Sequence, residues 1–116
     1  MLDLDHLGAF NMLRGEREGD RLIKECGSRW RNELREVDFL ARVDGTEFAI
    51  ILPGCGLGEA CDVLDRVRES TPRGQTASAG VARWDGEEPA ELFLARAQDA
   101  LAAAKSAGRN VTIAAD

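Results

Sequence analysis

Arg42-Val43-Asp44-Gly45-Thr46-Glu47-Phe48-Ala49-Ile50-Ile51-Leu52 decides the fold. Asp44-Gly45 is a strong tight-turn pair. After it, Phe48 to Leu52 is continuously apolar and β-rich, which predicts a central strand buried on both faces. Before it, Val37, Phe39, Ala41 and Val43 alternate with Asp38, Leu40 and Arg42, the pattern of a half-buried strand.

Outward from this hairpin the chain alternates. Upstream, Met1 to Leu4 reads as the end of a strand and Leu7 to Leu13 as a short helix. Gly15 to Gly19 punctuates, and Asp20 opens a longer helix carrying Leu22, Ile23, Cys26, Trp30 and Leu34 at helical spacing. Downstream, Pro53 to Gly58 is a loop, and Ala60, Val63, Leu64 and Val67 mark a helix. Thr76 to Trp84 reads as a strand in which Gly80 signals a bulge or a close backbone approach. Pro89 suits a helix start, Leu92 to Ala104 forms its body, Gly108 ends it, and Val111 to Ala114 is a last strand. A hairpin inside an alternating pattern predicts an α+β domain: a mixed sheet of about five strands, covered by helices.

The 116 residues suit one core, and the balance of 44% hydrophobic and 31% charged residues is that of a soluble domain. No apolar run is long enough to span a bilayer. Asp3 and Asp5 interrupt the apolar start, so no signal peptide is read there. A net charge of −6 argues against nucleic acid as a partner, and an anionic ligand has to be held by local arginines. Cys26, Cys55 and Cys61 form neither a disulfide framework nor a zinc pattern. Cys26 and Cys61 read as small core residues, and a reducing cytoplasm is the expected compartment.

Four segments in order resemble the GGDEF (diguanylate cyclase) domain. They are Asp3-Leu4-Asp5-His6-Leu7 with Asn11, Gly15 and Gly19-Asp20; Arg42 to Phe48 at the place of the signature hairpin; Thr76 to Val81; and Ala104-Lys105-Ser106-Ala107-Gly108-Arg109-Asn110. The resemblance spans nearly the whole chain, read as one domain over 1–116. The family normally carries a helix and the start of the first strand before the aspartates. The absence of that helix is expected to leave part of the sheet uncovered.

Family members join two GTP molecules held by two facing domains, with a divalent metal on the triphosphate. The resemblance assigns the metal to Asp3 and the third signature residue, guanine to Asn11 and Asp20, and phosphates to Lys105 and Arg109, with backbone approach at Gly45. Here that third residue is Thr46, a neutral hydroxyl. Asp44 replaces the first signature glycine, and Gly8 offers no cation where the family has a lysine. Glu47 and Phe48 remain. The cyclase is therefore expected to be inactive, with no cofactor, and with Mg2+ only if residual turnover persists. Simpler roles stay open: Asp20 as a helix cap, Asp3 as a strand-end acid, and Lys105 and Arg109 as helix C-terminal cations.

Arg35-Glu36-Val37-Asp38 reproduces the family's RxxD inhibitory site, five residues before the signature turn, and Arg66 matches the second arginine. A guanidinium can donate twice to guanine O6 and N7, and a carboxylate can accept from the N1–H and amine. The alternative is a local Arg35–Asp38 ion pair. The resulting expectation is a cyclic di-GMP receptor module using Arg35, Asp38 and Arg66. Expected partners are cyclic di-GMP, GTP, a second copy brought by ligand, and a protein partner or attached domain. A weak diguanylate cyclase and a structural domain without nucleotide are the rivals.

Overall fold

A computed structural model describes residues 1–115. The elements run β1 (Leu2–Leu4), α1 (Leu7–Arg14), α2 (Glu16–Asn32), β2 (Phe39–Asp44), β3 (Glu47–Ile51), α3 (Leu57–Glu69), β4 (Ala77–Val81), α4 (Ala90–Ser106) and β5 (Thr112–Ala114). The sheet order is β2-β3-β1-β4-β5, with only the β4–β5 pair parallel. The predicted mixed five-stranded sheet with four helices is what forms.

Strand alternation assigns the two faces. Leu2, Leu4, Phe48, Ala77, Ala79 and Val81 join Phe10, Leu22, Trp30, Leu64 and Val67 in one core under α1, α2 and α3. Trp30 is fully buried, meets Phe48 edge-on at 5.0 Å, and donates from Nε1 to Thr71 Oγ1 at 3.0 Å. Burial on this scale is worth about 3–5 kcal/mol against truncation to alanine. The other face carries Asp3, Glu47, Ser78 and Gly80, and α4 packs on it over β4. A methyl group at Gly80 would sit 2.1 Å from the Leu101 amide nitrogen, so the close approach predicted from Gly80 is real.

Several local expectations are corrected. Gly15, at φ 88°, separates α1 from α2, and α2 starts at Glu16. Asp20 therefore lies within the helix and is not its cap. The inward residue of β2 is Leu40, packed against the core opposite Ile50. Phe39 and Val43 are 64% and 53% exposed, and Val37 precedes the strand. Alternation reveals two faces but not which one a helix will cover. For the same reason β3 is not buried on both faces: Ile51, opposite Phe39, is 59% exposed. The hairpin turn is Gly45-Thr46, since Asp44 still pairs with Glu47. The fourth strand is shorter than predicted, at Ala77–Val81. Cys26 is buried as expected, whereas Cys61 is only half-buried.

Candidate functional site

The turn delivers Thr46 to Asp3. β1 lies beside β3 with Asp3 opposite Glu47, and the Leu4 amide donates to the Thr46 carbonyl at 3.2 Å. Arg42 Nε closes the turn by donating to the Gly45 carbonyl at 2.7 Å. Thr46 Oγ1 then donates to Asp3 Oδ1, and Lys105 Nζ, from the end of α4, pairs with Asp3 Oδ2. Lys105 is thus more than a complement to its helix terminus. Asp3, His6, Gly8, Thr46, Lys105 and Arg109 line one cavity of about 280 Å³. Glu47 is half-buried on the neighbouring strand position.

Asp5, which sequence reasoning left without a role, holds the far wall. Its buried carboxylate accepts from Thr76 Oγ1 and Ser78 Oγ, each at 2.7 Å, and from the Asn110 amide at 3.2 Å. The Asn110 bond ends a run of positive φ at Gly108, Arg109 and Asn110 (108°, 66° and 51°), so Arg109 lines the cavity from a left-handed turn after α4. The sequence signal was the pairing of Asp5 with hydroxyls on a neighbouring strand, visible only once β1 and β4 are known to be adjacent.

A divalent cation at this place needs hard anionic oxygens. The residues present do not fit one. Both oxygens of Asp3 are already engaged, one by a hydroxyl and one by an ammonium, and Thr46 brings no charge. Among the described residues no group of three His, Cys, Asp or Glu side chains is arranged to hold a metal ion.

Asn11 lies on α1 against Gly19. Its Oδ1 is buried without a hydrogen-bond partner, and a methyl at Gly19 would fall 1.8 Å from it. Asp20, the next residue, is exposed on α2. Neither lines the cavity around Lys105, so the expected guanine and phosphate groups occupy separate walls.

The RxxD segment spans the end of α2 and the start of β2. Arg35 and Asp38 do not aim jointly at an outside point; they close on each other. Asp38 Oδ2 accepts from the Arg35 amide at 2.7 Å, and Oδ1 accepts from Nη2 at 2.7 Å. The Asp38 side chain is 1% exposed, while that of Arg35 is 49% exposed. Arg35 Nη2 also donates to the Pro53 carbonyl at 2.7 Å and reaches Cys55 Sγ at 3.4 Å. Arg31, which the sequence did not single out, donates to the Arg35 and Asp38 carbonyls at 2.9 and 2.8 Å and braces the turn. The Arg35 donors hold the Asp38 carboxyl below its usual range against the opposing effect of burial, and Asp38 in turn raises Arg35.

Arg66 is exposed in the last turn of α3. Among the described residues its side chain makes no hydrogen bond or ion pair. It lies roughly 13 Å along the helix axis from Leu57, and no hydrogen bond or ion pair among the described residues joins it to Arg35 or Asp38. Arg68, on the same turn, is committed elsewhere: it pairs with Asp65 at 2.6 Å and donates to Thr112 at 2.7 Å and to Asn110 at 3.2 Å.

A family model described as "Diguanylate cyclase, GGDEF domain" matches residues 1–111. The chain is 35% identical over 95% of its length to the diguanylate cyclase DgcP of Pseudomonas aeruginosa. It is also 30% identical over 99% of its length to the diguanylate cyclase DgcM of Escherichia coli. It spans only 18% and 30% of those two proteins. Among solved structures, it superposes on the diguanylate cyclase SiaD of Pseudomonas aeruginosa, solved with its activator SiaC. That match has TM-score 0.91 and 35% identity, over 98% of this chain and 48% of that one. The GGDEF domain of DgcB from Caulobacter crescentus, solved with c-di-GMP, superposes with TM-score 0.87 and 31% identity, over 97% and 74% of the two chains.

Proposed function

The chain belongs to the GGDEF, or diguanylate cyclase, domain family, and from that premise we propose that it is a catalytically degenerate member that acts as a cyclic di-GMP-binding receptor module. The observation that carries the reading is the Arg35–Asp38 arrangement. A buried carboxylate fixes a guanidinium whose outer half faces solvent. Its Nε and Nη2 are spent on Asp38 and Pro53, so the outer Nη1 and the guanidinium face are what remain to meet a guanine, with little freedom left to lose. Arg66 offers a second exposed guanidinium, on α3. The relative solved with c-di-GMP supports the ligand class.

Degeneracy is supported by the closed Asp3–Thr46–Lys105 cluster, together with Asp44 and Gly8. The rival reading, a weak diguanylate cyclase, draws on the activity named for the relatives. Two measurements separate them. Calorimetric titration with cyclic di-GMP is expected to give saturable binding that raises the unfolding temperature. Incubation with GTP and magnesium is expected to yield no product. Absence of cyclic di-GMP binding overturns the receptor reading, and steady turnover overturns the degenerate one.

A further inference from the structure

We propose that Lys105 has taken the place of the divalent cation: its ammonium is the resident counter-ion of Asp3, and the pocket refuses a metal. This deepens the degenerate reading of the cyclase site and rests on it. The cluster is closed on itself. Thr46 Oγ1 engages one oxygen of Asp3 and Lys105 Nζ the other. Asp3 is 7% exposed and sits on a strand paired on both sides, so its carboxylate has little room to turn toward a different cation.

The second carboxylate of the pocket is equally unavailable, because Asp5 is spent on Thr76, Ser78 and the Asn110 amide. Glu47 stands opposite Asp3 in register but does not line the cavity. An incoming ion therefore meets a hydroxyl already committed to Asp3 and a tethered ammonium. The tether matters, since an attached cation competes at an effective concentration far above that of a free ion. It also follows that the threonine and the lysine act as a unit. Thr46 lacks the charge that would draw a metal in, and Lys105 neutralises the charge that remains.

The test is manganese binding, read by electron paramagnetic resonance, in the full chain and in Thr46→Asp, Lys105→Met and the double variant. Wild type is expected to leave Mn2+ free. The double variant, with two carboxylates and no ammonium, is expected to bind it about tenfold or more tightly than either wild type or Thr46→Asp, because charge count sets cation affinity at oxygen sites. Its unfolding temperature should rise with Mn2+ while that of wild type stays fixed. If the double variant does not fold without the ion, Lys105→Gln in the wild-type background makes the same comparison, with a smaller gain over wild type expected. Wild-type binding equal to that of the double variant overturns the proposal. So does equal affinity in Thr46→Asp with and without Lys105, or no binding in any variant. None of these readouts involves cyclic di-GMP, so failure here is distinct from failure at Arg35.

Discussion

Arg35 meets Asp38 through its backbone amide as well as its guanidinium, so one residue supplies donors to both oxygens of a buried carboxylate. Asp38 is thereby the anchor of the pair and Arg35 its exposed face. Replacing Arg35 by alanine removes the uncommitted Nη1 donor and the guanidinium face; a charged hydrogen bond is worth about 1.5–3 kcal/mol, and cyclic di-GMP affinity is predicted to fall roughly ten- to 150-fold. Arg66→Ala is predicted to cost less, since that exposed side chain, with no hydrogen bond among the described residues, has to be ordered by the ligand. Arg68 is unsuitable as a neutral control because it ties α3 to Thr112 and Asn110. Arg17, exposed at the opposite end of α2, serves instead. Calorimetric titration of the three variants decides the matter. Wild-type affinity in Arg35→Ala, or a larger loss in Arg17→Ala than in Arg66→Ala, would sink the assignment.

The same pair predicts an acid-sensitive contribution to stability. Hydrogen bonds from Arg35 lower the Asp38 pKa, outweighing burial, which raises it. A carboxyl whose folded value lies below its unfolded value of about 3.9 stabilises the fold above that pH and loses the contribution as pH falls through the folded value. In urea melts, the stability gap between wild type and Asp38→Asn is predicted to hold constant from about pH 8 to pH 5 and to shrink below about pH 4. A gap that persists unchanged into strong acid would show that the charge of Asp38 contributes nothing.

The architecture was legible because its signals are local. The Asp44-Gly45 pair, the apolar run behind it, the helical spacing around Trp30, and Pro89 and Gly108 each act within a few residues. What failed was what depends on neighbours far along the chain. Phe39 and Ile51 look like core residues by hydrophobicity, yet they share the sheet face that α4 covers only over β4. Asp38 looked like a ligand group by its spacing to Arg35. Its burial is set by the brace from Arg31 and the Pro53 loop, which spacing does not reveal. Asp3 and Lys105 are 102 residues apart, and only the closing of α4 over the sheet makes them an ion pair.

Gly19 and Asn11 yield a prediction that separates binding from folding. The Asn11 amide oxygen occupies the space a side chain at Gly19 would need. Gly19→Ala should push that flexible amide aside, while alanine inside α2 offsets the strain by up to about 1 kcal/mol of helix propensity. Thermal stability is predicted to change little, and any GTP binding to fall as it does in Asn11→Ala. If GTP titration detects binding that neither variant alters, Asn11 does not read guanine.

The final prediction concerns turnover. Wild-type protein with GTP and magnesium is predicted to make no cyclic di-GMP, and Thr46→Glu alone to stay within about tenfold of that background. The single change restores one carboxylate, but three obstacles remain. Lys105 still holds Asp3. Asp44 still places a negative charge at the turn where the family has glycine, and Gly8 still offers no cation. The Lys105–Asp3 pair opposes a metal, while Asp44 and the missing cation at Gly8 weaken the hold on a triphosphate, and none of the three is relieved by a new side chain at position 46. Product formation followed by chromatography is the measurement. Robust turnover in wild type would falsify the degenerate assignment outright. Robust turnover in Thr46→Glu alone would show instead that the threonine is the whole lesion, and that Asp44, Gly8 and the Lys105–Asp3 pair are tolerated.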